Sequence, residues 1–337
     1  MPAEWEPHEA TWLVWPHNEA SWPGQLKLIP PIFAKMAAAL SRGEKVHILA
    51  NSETDMNQAV ALLLKENAQM ANIDLMLWPT NDSWIRDSGP LFITRTYQNK
   101  LQLALTNWEF NKWGGKYPPW ELDNQIPEKI GELLKLPVFN GYMVLEGGSI
   151  DVNGAGTLLT SEQCLLHPNR NPQLTKELIE ERLKNQLGVR HIVWLGLGIE
   201  GDDTDGHIDD IARFVAPDTI VCAVEDNEAD ENYGPLMANY KWLKKQRDQD
   251  GNAFKVLALP MPGPVVCEEQ RLPASYANFY IGNKVVLLPV FDDPNDAKAL
   301  AVLQRCFPTR EIVAIPARDL VWGLGTCHCL TQQQPRV

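Results

Sequence analysis

Apolar runs rich in strand-forming residues alternate with helix-patterned stretches along the whole chain, and no other feature constrains the fold as strongly. Strand-like runs occupy residues 46–50, 73–78, 101–106, 192–195, 220–224, 256–259, 285–288 and 312–315. Helical spacing of apolar residues fills 29–40, 56–70, 128–134, 174–186, 228–245 and 296–306. In the second helix, Val60, Leu63, Leu64 and Ala68 recur at helical spacing and predict a core-facing stripe. Strict alternation of the two element types predicts an α/β fold. About five strand-plus-helix units of roughly 60–70 residues each fit the length. No Gly/Ser linker or low-complexity segment divides the sequence, so residues 1–337 are expected to form one domain built from repeats.

Composition excludes several classes of function. The hydrophobic fraction of 45% suits a globular protein with a large core, and no apolar run reaches the ~18 residues of a membrane span. The start, Met1-Pro2-Ala3-Glu4-Trp5-Glu6-Pro7, has neither a basic nor an apolar leader region, so a cytoplasmic location is expected. A net charge of -13 opposes nucleic-acid binding and favours a small cationic partner. Among the six cysteines there is no Cys-x-x-Cys pair, which predicts free, mostly buried thiols. Oligomeric state is not set by the sequence, and a homo-oligomer stays open.

Four segments carry chemistry. Near the C-terminal end, Gly323-Leu324-Gly325-Thr326-Cys327-His328-Cys329 joins glycines, which permit close backbone approach, to two thiols, the strongest side-chain nucleophiles. Zinc sites space paired cysteines by two to four residues and need a second pair, so no metal is expected here. Asn81 to Pro90 brings Asp82, Trp84, Arg86 and Asp87 together just past a strand. Glu146 closes an apolar stretch before Gly147-Gly148, so it is expected to be buried and to need a partner, a histidine being the natural one. Gly201 to Asp210 superficially resembles a calcium loop but lacks the closing glutamate. If a strand begins near His207, then His207 and Asp209 share one face and combine proton transfer with cation binding.

These segments, taken in order with Met1–His8, Trp108–Asn111, Trp113–Tyr117, Ser275–Tyr280 and the final Thr331-Gln332-Gln333, resemble the agmatine deiminase branch of the guanidine-modifying pentein superfamily, which also holds the bacterial type of peptidyl-arginine deiminase. The resemblance implies a five-bladed α/β propeller of ββαβ-type repeats with pseudo-fivefold symmetry and a central active site. It implies Cys329 as nucleophile, His207 as general acid/base, Glu146 as the carboxylate that holds it, and Asp87 and Asp209 as the pair that grips the guanidinium. No cofactor or metal is implied. Trp84 and Trp113 are candidates for lining the aliphatic arm of the substrate. The tail departs from the family pattern at Leu324, where glycine is usual, and at Cys327, where isoleucine is usual.

The implied reaction is hydrolysis of agmatine to N-carbamoylputrescine and ammonia through a cysteine thiouronium, a step toward putrescine. Peptidyl arginine is the alternative substrate. Negative charge and the absence of a leader favour the small dication.

Overall fold

The computed structural model describes residues 1–337. Its element order opens with β1 (His8–Val14), α1 (Ile29–Leu40), β2 (Lys45–Ala50), α2 (Glu53–Lys65) and β3 (Ile73–Leu77). A short helix, α3 (Ile85–Ser88), leads to β4 (Leu91–Tyr97) and β5 (Lys100–Glu109). Then come the tight turn α4 (Lys112–Gly115), α5 (Ile126–Leu134) and β6 (Val138–Val144). The middle of the chain holds β7 (Ile150–Val152), β8 (Thr157–Ser161), α6 (Glu162–Leu165), α7 (Lys176–Leu187) and β9 (His191–Leu195). After it come β10 (Ala212–Ala216), β11 (Thr219–Val224), α8 (Tyr233–Leu243) and β12 (Lys255–Pro260). A two-residue-per-strand hairpin, β13 (Val266–Cys267) and β14 (Gln270–Arg271), precedes β15 (Tyr280–Ile281), β16 (Val285–Val290), α9 (Asp296–Cys306), β17 (Glu311–Pro316) and β18 (Gln332–Pro335).

The result is a mixed α/β fold of small sheets, and five of them share one pairing plan. β4-β5-β6, β7-β8-β9, β10-β11-β12 and β15-β16-β17 each join an antiparallel pair to a parallel pair. In the fifth, β18-β1-β2-β3, the antiparallel partner of β1 comes from the far end of the chain. A parallel pair needs a long crossover: α5, α7, α8 and α9 supply one in each three-stranded sheet, and α1 and α2 supply the two of the first sheet. Parallel strands covered on both faces read as continuous apolar runs, so β2, β11 and β16 are legible in sequence. The antiparallel first strands are shorter or more polar.

Helix ends follow local chemistry. Ser52 caps α2 by accepting from the Asp55 N–H, Thr175 caps α7, and Gly188 ends α7 in the left-handed region. The expected stripe on α2 is only partly core. Leu63 is buried, but Leu64 is 59% exposed because the helix covers β2 and β3 with a single narrow face.

The apolar interior falls into separate clusters beneath the sheets, and buried charge collects where the sheets are joined. Five connections enter the first strand of the next sheet: through α3 before β4, residues 145–149 before β7, 196–211 before β10, 272–279 before β15, and 317–331 before β18. They pack on one another. Arg86 N–H donates to the Cys329 carbonyl (3.2 Å), Gly148 N–H to Asp87 Oδ1 (3.0 Å), and His328 N–H to the Asn278 carbonyl (3.1 Å). No helix is long and apolar enough to cross a membrane.

Candidate active site

Each of those five connections delivers a polar group to one place. Asp87 rides on α3, buried, with Oδ2 accepting from the Trp113 indole N–H (2.9 Å) and Oδ1 from Gly148 N–H (3.0 Å). Trp113 reaches it because Lys112, Trp113 and Gly114 all take left-handed backbone angles, and Asn111 caps the turn by accepting from Gly114 N–H. Lys112 is buried between Asp82 (2.9 Å) and Asp123 (3.5 Å), which anchors the same turn.

His207 and Asp209 do not share a strand face. His207 precedes a single 3-10 turn over Ile208–Asp210, and β10 starts only at Ala212. Asp202 holds the loop by accepting from the N–H groups of Thr204, Gly206 and His207, so the acidic segment satisfies its own backbone. Gly206 is needed there, with φ at +89° and a Cβ position 2.7 Å from Gln163. His207 Nδ1 lies 3.8 Å from Asp87 Oδ1, and neither ring nitrogen has a hydrogen-bond partner. Burial alone would lower its pKa, but the carboxylate of Asp87, with Asp209 behind it, raises the value well above the ordinary histidine range.

Glu146 is wholly buried, as expected, but its hydrogen bond goes to Arg170 Nε (2.6 Å) rather than to His207. Its second oxygen is unpartnered on the histidine side. Arg170 also donates to Asp205 (2.5 Å) and to the Thr204 carbonyl (2.7 Å), tying Glu146 to the loop that carries His207. Glu146, Cys164 and His207 each offer one atom within 4.8 Å of the others, a geometry that could hold a metal ion. The pairing of Glu146 with Arg170 leaves that trio a single free carboxylate oxygen.

Asp209 is split between two environments. Oδ2 takes a bond from His328 Nδ1 (2.7 Å) and lies 3.7 Å from Cys329 Sγ, while Oδ1 is buried without a partner. Burial would raise its pKa, yet His328 and His207 hold it below the usual aspartate range. Asn278 organises the tail: its Oδ1 accepts from Thr326 Oγ1 (2.8 Å) and from the N–H of His328 (3.1 Å), and its Nδ2 points at Cys329 Sγ (3.1 Å).

Cys329 is 5% exposed at the floor of a cavity of about 550 Å³. Burial, then the negative field of Asp209, Asp210 and Asp87, pushes its thiol well above the ordinary cysteine range, so the empty site holds a protonated sulfur. Asp87 is likewise raised, first by burial and then by Asp209 and Glu146, against His207. Trp84, Trp113 and Leu324 line the wall, and Tyr117, Glu268 and Gln270 lie toward the mouth. Only glycine fits at position 148, where these groups converge. A Cβ there would sit 2.5 Å from His207 Nδ1, 2.8 Å from Asp87 Oδ1 and 3.1 Å from Asp209 Oδ2.

The tail glycines serve packing as well as access. A Cβ on Gly323 would meet Trp22 at 2.6 Å, and one on Gly325 would meet Trp84 at 2.7 Å and Cys329 Sγ at 3.2 Å. Leu324 adopts the left-handed angles (φ 68°) that glycine favours. Cys327 is fully buried in the main core and its thiol is pushed up by burial.

Of the seven residues singled out from sequence, Cys329, Asp87, Trp84 and Trp113 line this cavity, and His207, Asp209 and Glu146 lie buried beside them. Arg170, Asn278 and Glu4 enter only with the structure. A family model described as Porphyromonas-type peptidyl-arginine deiminase matches residues 1–335. The chain belongs to that family. Relatives include agmatine deiminases of Pseudomonas aeruginosa (strain LESB58), 39% identical, and of Pseudomonas syringae pv. tomato, 41% identical. Each match covers 99% of this chain and 95% of the relative. Among solved structures, the agmatine deiminase of Enterococcus faecalis superposes with a TM-score of 0.92 at 34% identity, covering 100% of this chain and 95% of that one. An agmatine deiminase of C. jejuni with substrate bound superposes at 0.88 and 34%, covering 100% and 96%. Family members thus share the fold over nearly their full length.

Proposed function

We propose that this family member is an agmatine deiminase, hydrolysing agmatine to N-carbamoylputrescine and ammonia on the route to putrescine in the cytoplasm. The observation that carries the reading is the convergence of Asp87, His207 and Asp209 at Gly148, with Cys329 Sγ beside Asp209 and both Cys329 and Asp87 opening on the cavity. A planar guanidinium suits that site. Asp87 and Asp209 accept its N–H groups in charge-assisted bonds, fixing its plane against the sulfur. We further read residues 1–337 as one catalytic domain whose five sheets are blades of a propeller, because the five inter-sheet connections each supply a polar group to one centre.

Binding of the cation offsets the carboxylates that keep Cys329 protonated, and the thiol proton leaves to cavity water. The thiolate attacks the guanidinium carbon, forming a C–S bond and a tetrahedral adduct. His207, protonated by the field of Asp87, donates to the departing nitrogen, and ammonia leaves as the C–N bond breaks. Neutral His207 then takes a proton from water, whose oxygen attacks the thiouronium carbon. The C–S bond breaks and the ureido product leaves. Glu146, oriented by Arg170, stabilises the imidazolium in both steps. Trp84 and Trp113 flank the four-carbon arm.

The family description favours a second reading with the same chemistry, peptidyl arginine converted to citrulline. Incubation with agmatine, free arginine and an arginine peptide, followed by ureido and ammonia assays, separates the two. Turnover of agmatine alone is expected; turnover of the peptide but not agmatine would overturn the choice of substrate.

A further inference from the structure

Glu4 is a buried carboxylate bonded through both oxygens, and it lies far from Cys329 in sequence. It is 4% exposed. Oε1 accepts from Ile281 N–H (2.8 Å) and lies 2.9 Å from Arg213 Nη2. Oε2 meets His328 Nε2 (2.8 Å) and Arg86 Nη2 (3.3 Å). Burial alone would raise its pKa, but Arg213, His328 and Arg86 hold the carboxyl well below the usual range.

His328 is the link. Its Nε2 faces Glu4 at 2.8 Å and its Nδ1 faces Asp209 Oδ2 at 2.7 Å. The ring therefore bridges the two carboxylates, one at each nitrogen. His328 thereby fixes Asp209 Oδ2, the oxygen that lies 3.7 Å from Cys329 Sγ and 3.1 Å from the Cβ position of Gly148, while Oδ1 is buried without a partner. Without the pull of Glu4, nothing holds the imidazole plane against Asp209, and the aspartate can turn either oxygen toward the ring or toward the sulfur.

We infer that Glu4 is a positioning residue for guanidinium binding, acting through His328 to lock the rotamer of Asp209 beside Cys329 and Gly148. The inference rests on the deiminase reading above. It makes the N-terminal segment part of the binding machinery, although Glu4 touches no substrate. The same carboxylate also anchors Arg86, next to Asp87, so both gripping aspartates are braced from one point.

The test is agmatine affinity in a Cys329→Ser background, which binds without turnover, measured by titration calorimetry. Glu4→Gln should weaken binding by roughly 10- to 100-fold, the usual cost of losing a group that orients a ligand-binding side chain. His328→Gln should do the same. Glu4→Gln added to Asp209→Asn should cost little beyond Asp209→Asn alone, because the two act on one contact. A purely structural role predicts otherwise: melting falls while affinity of the folded protein holds, or the two penalties multiply, and either result overturns the inference. Should Glu4→Gln fail to fold, His328→Gln decides, and parental affinity in that variant overturns it. If the wild type turns over agmatine while Glu4→Gln binds normally, the inference fails and the functional reading stands. If the parent binds neither agmatine nor an arginine peptide, the functional reading fails and takes the inference with it.

Discussion

At the scale of single residues, the two tail cysteines have distinct fates. Cys329 opens on the cavity, and Cys327 is sealed in the core. Cys329→Ser should reduce turnover by at least about a thousandfold, as loss of a nucleophile does. Cys327→Ser should leave turnover largely intact and cost on the order of 1–2 kcal/mol of stability for burying a hydroxyl, read from a denaturant melt. Gly148→Ala should lower both agmatine turnover and the melting temperature, since the added methyl would press on buried His207 and Asp87. The raised Cys329 thiol gives a pH test. Iodoacetamide, being neutral, should alkylate it slowly at pH 7, with the rate climbing only as pH passes the ordinary cysteine range near ~8.5. A cationic haloacetamidine should react readily at pH 7, because it brings the compensating charge; equal rates for both reagents at pH 7 would contradict the account. The proposed nucleophile, acid/base histidine and gripping aspartates are legible in sequence because each stands in a distinctive local motif. Arg170, Asn278 and Glu4 are not. Their roles lie in pairings between chain segments far apart, and nothing in the sequence around Arg170 says that it, rather than His207, takes the one hydrogen bond of Glu146.

At the scale of elements, legibility follows burial. The strand-like runs of the sequence correspond to β2, β3, β5, β9, β11, β12, β16 and β17, the strands that make or receive parallel pairs. The antiparallel entrants β7 and β15 are quieter, with three and two residues, and parallel β6 is masked by exposed Phe139 and Tyr142. That is why the segment after His207 reads as a strand too early. The α4 turn is also invisible beforehand, since positive φ at Lys112 and Trp113 contradicts local preference and is held only by Asn111, Asn169 and the buried lysine pairs. Gly114→Ala should therefore cost about 2 kcal/mol or more. Its φ is +91°, and its Cβ would lie 2.3 Å from Asn169 Nδ2. Thermal melting measures the loss, and a rise in KM should accompany it as the Trp113 indole leaves Asp87.

At the scale of the whole molecule, alternation of element types predicts an α/β fold, and the structure bears this out as five small sheets with a common plan. The join between β1 and β18 has a consequence for how such a molecule comes into being. Register pairs Thr11 with Gln333 and Trp12 with Gln332, contacts separated by almost the whole chain. Loop-closure entropy makes pairings of that span slow, and a ribosome releases them last. The stretch from Cys327 to Pro335 supplies both the nucleophile and the strand that completes the first sheet. A nascent chain lacking it has most of its helices and sheets but no reactive sulfur beside the acidic groups. Chemical competence and topological closure should then appear together in refolding, with recovery of activity tracking the slowest phase seen by fluorescence of Trp12, which is buried in β1 beside that closing strand.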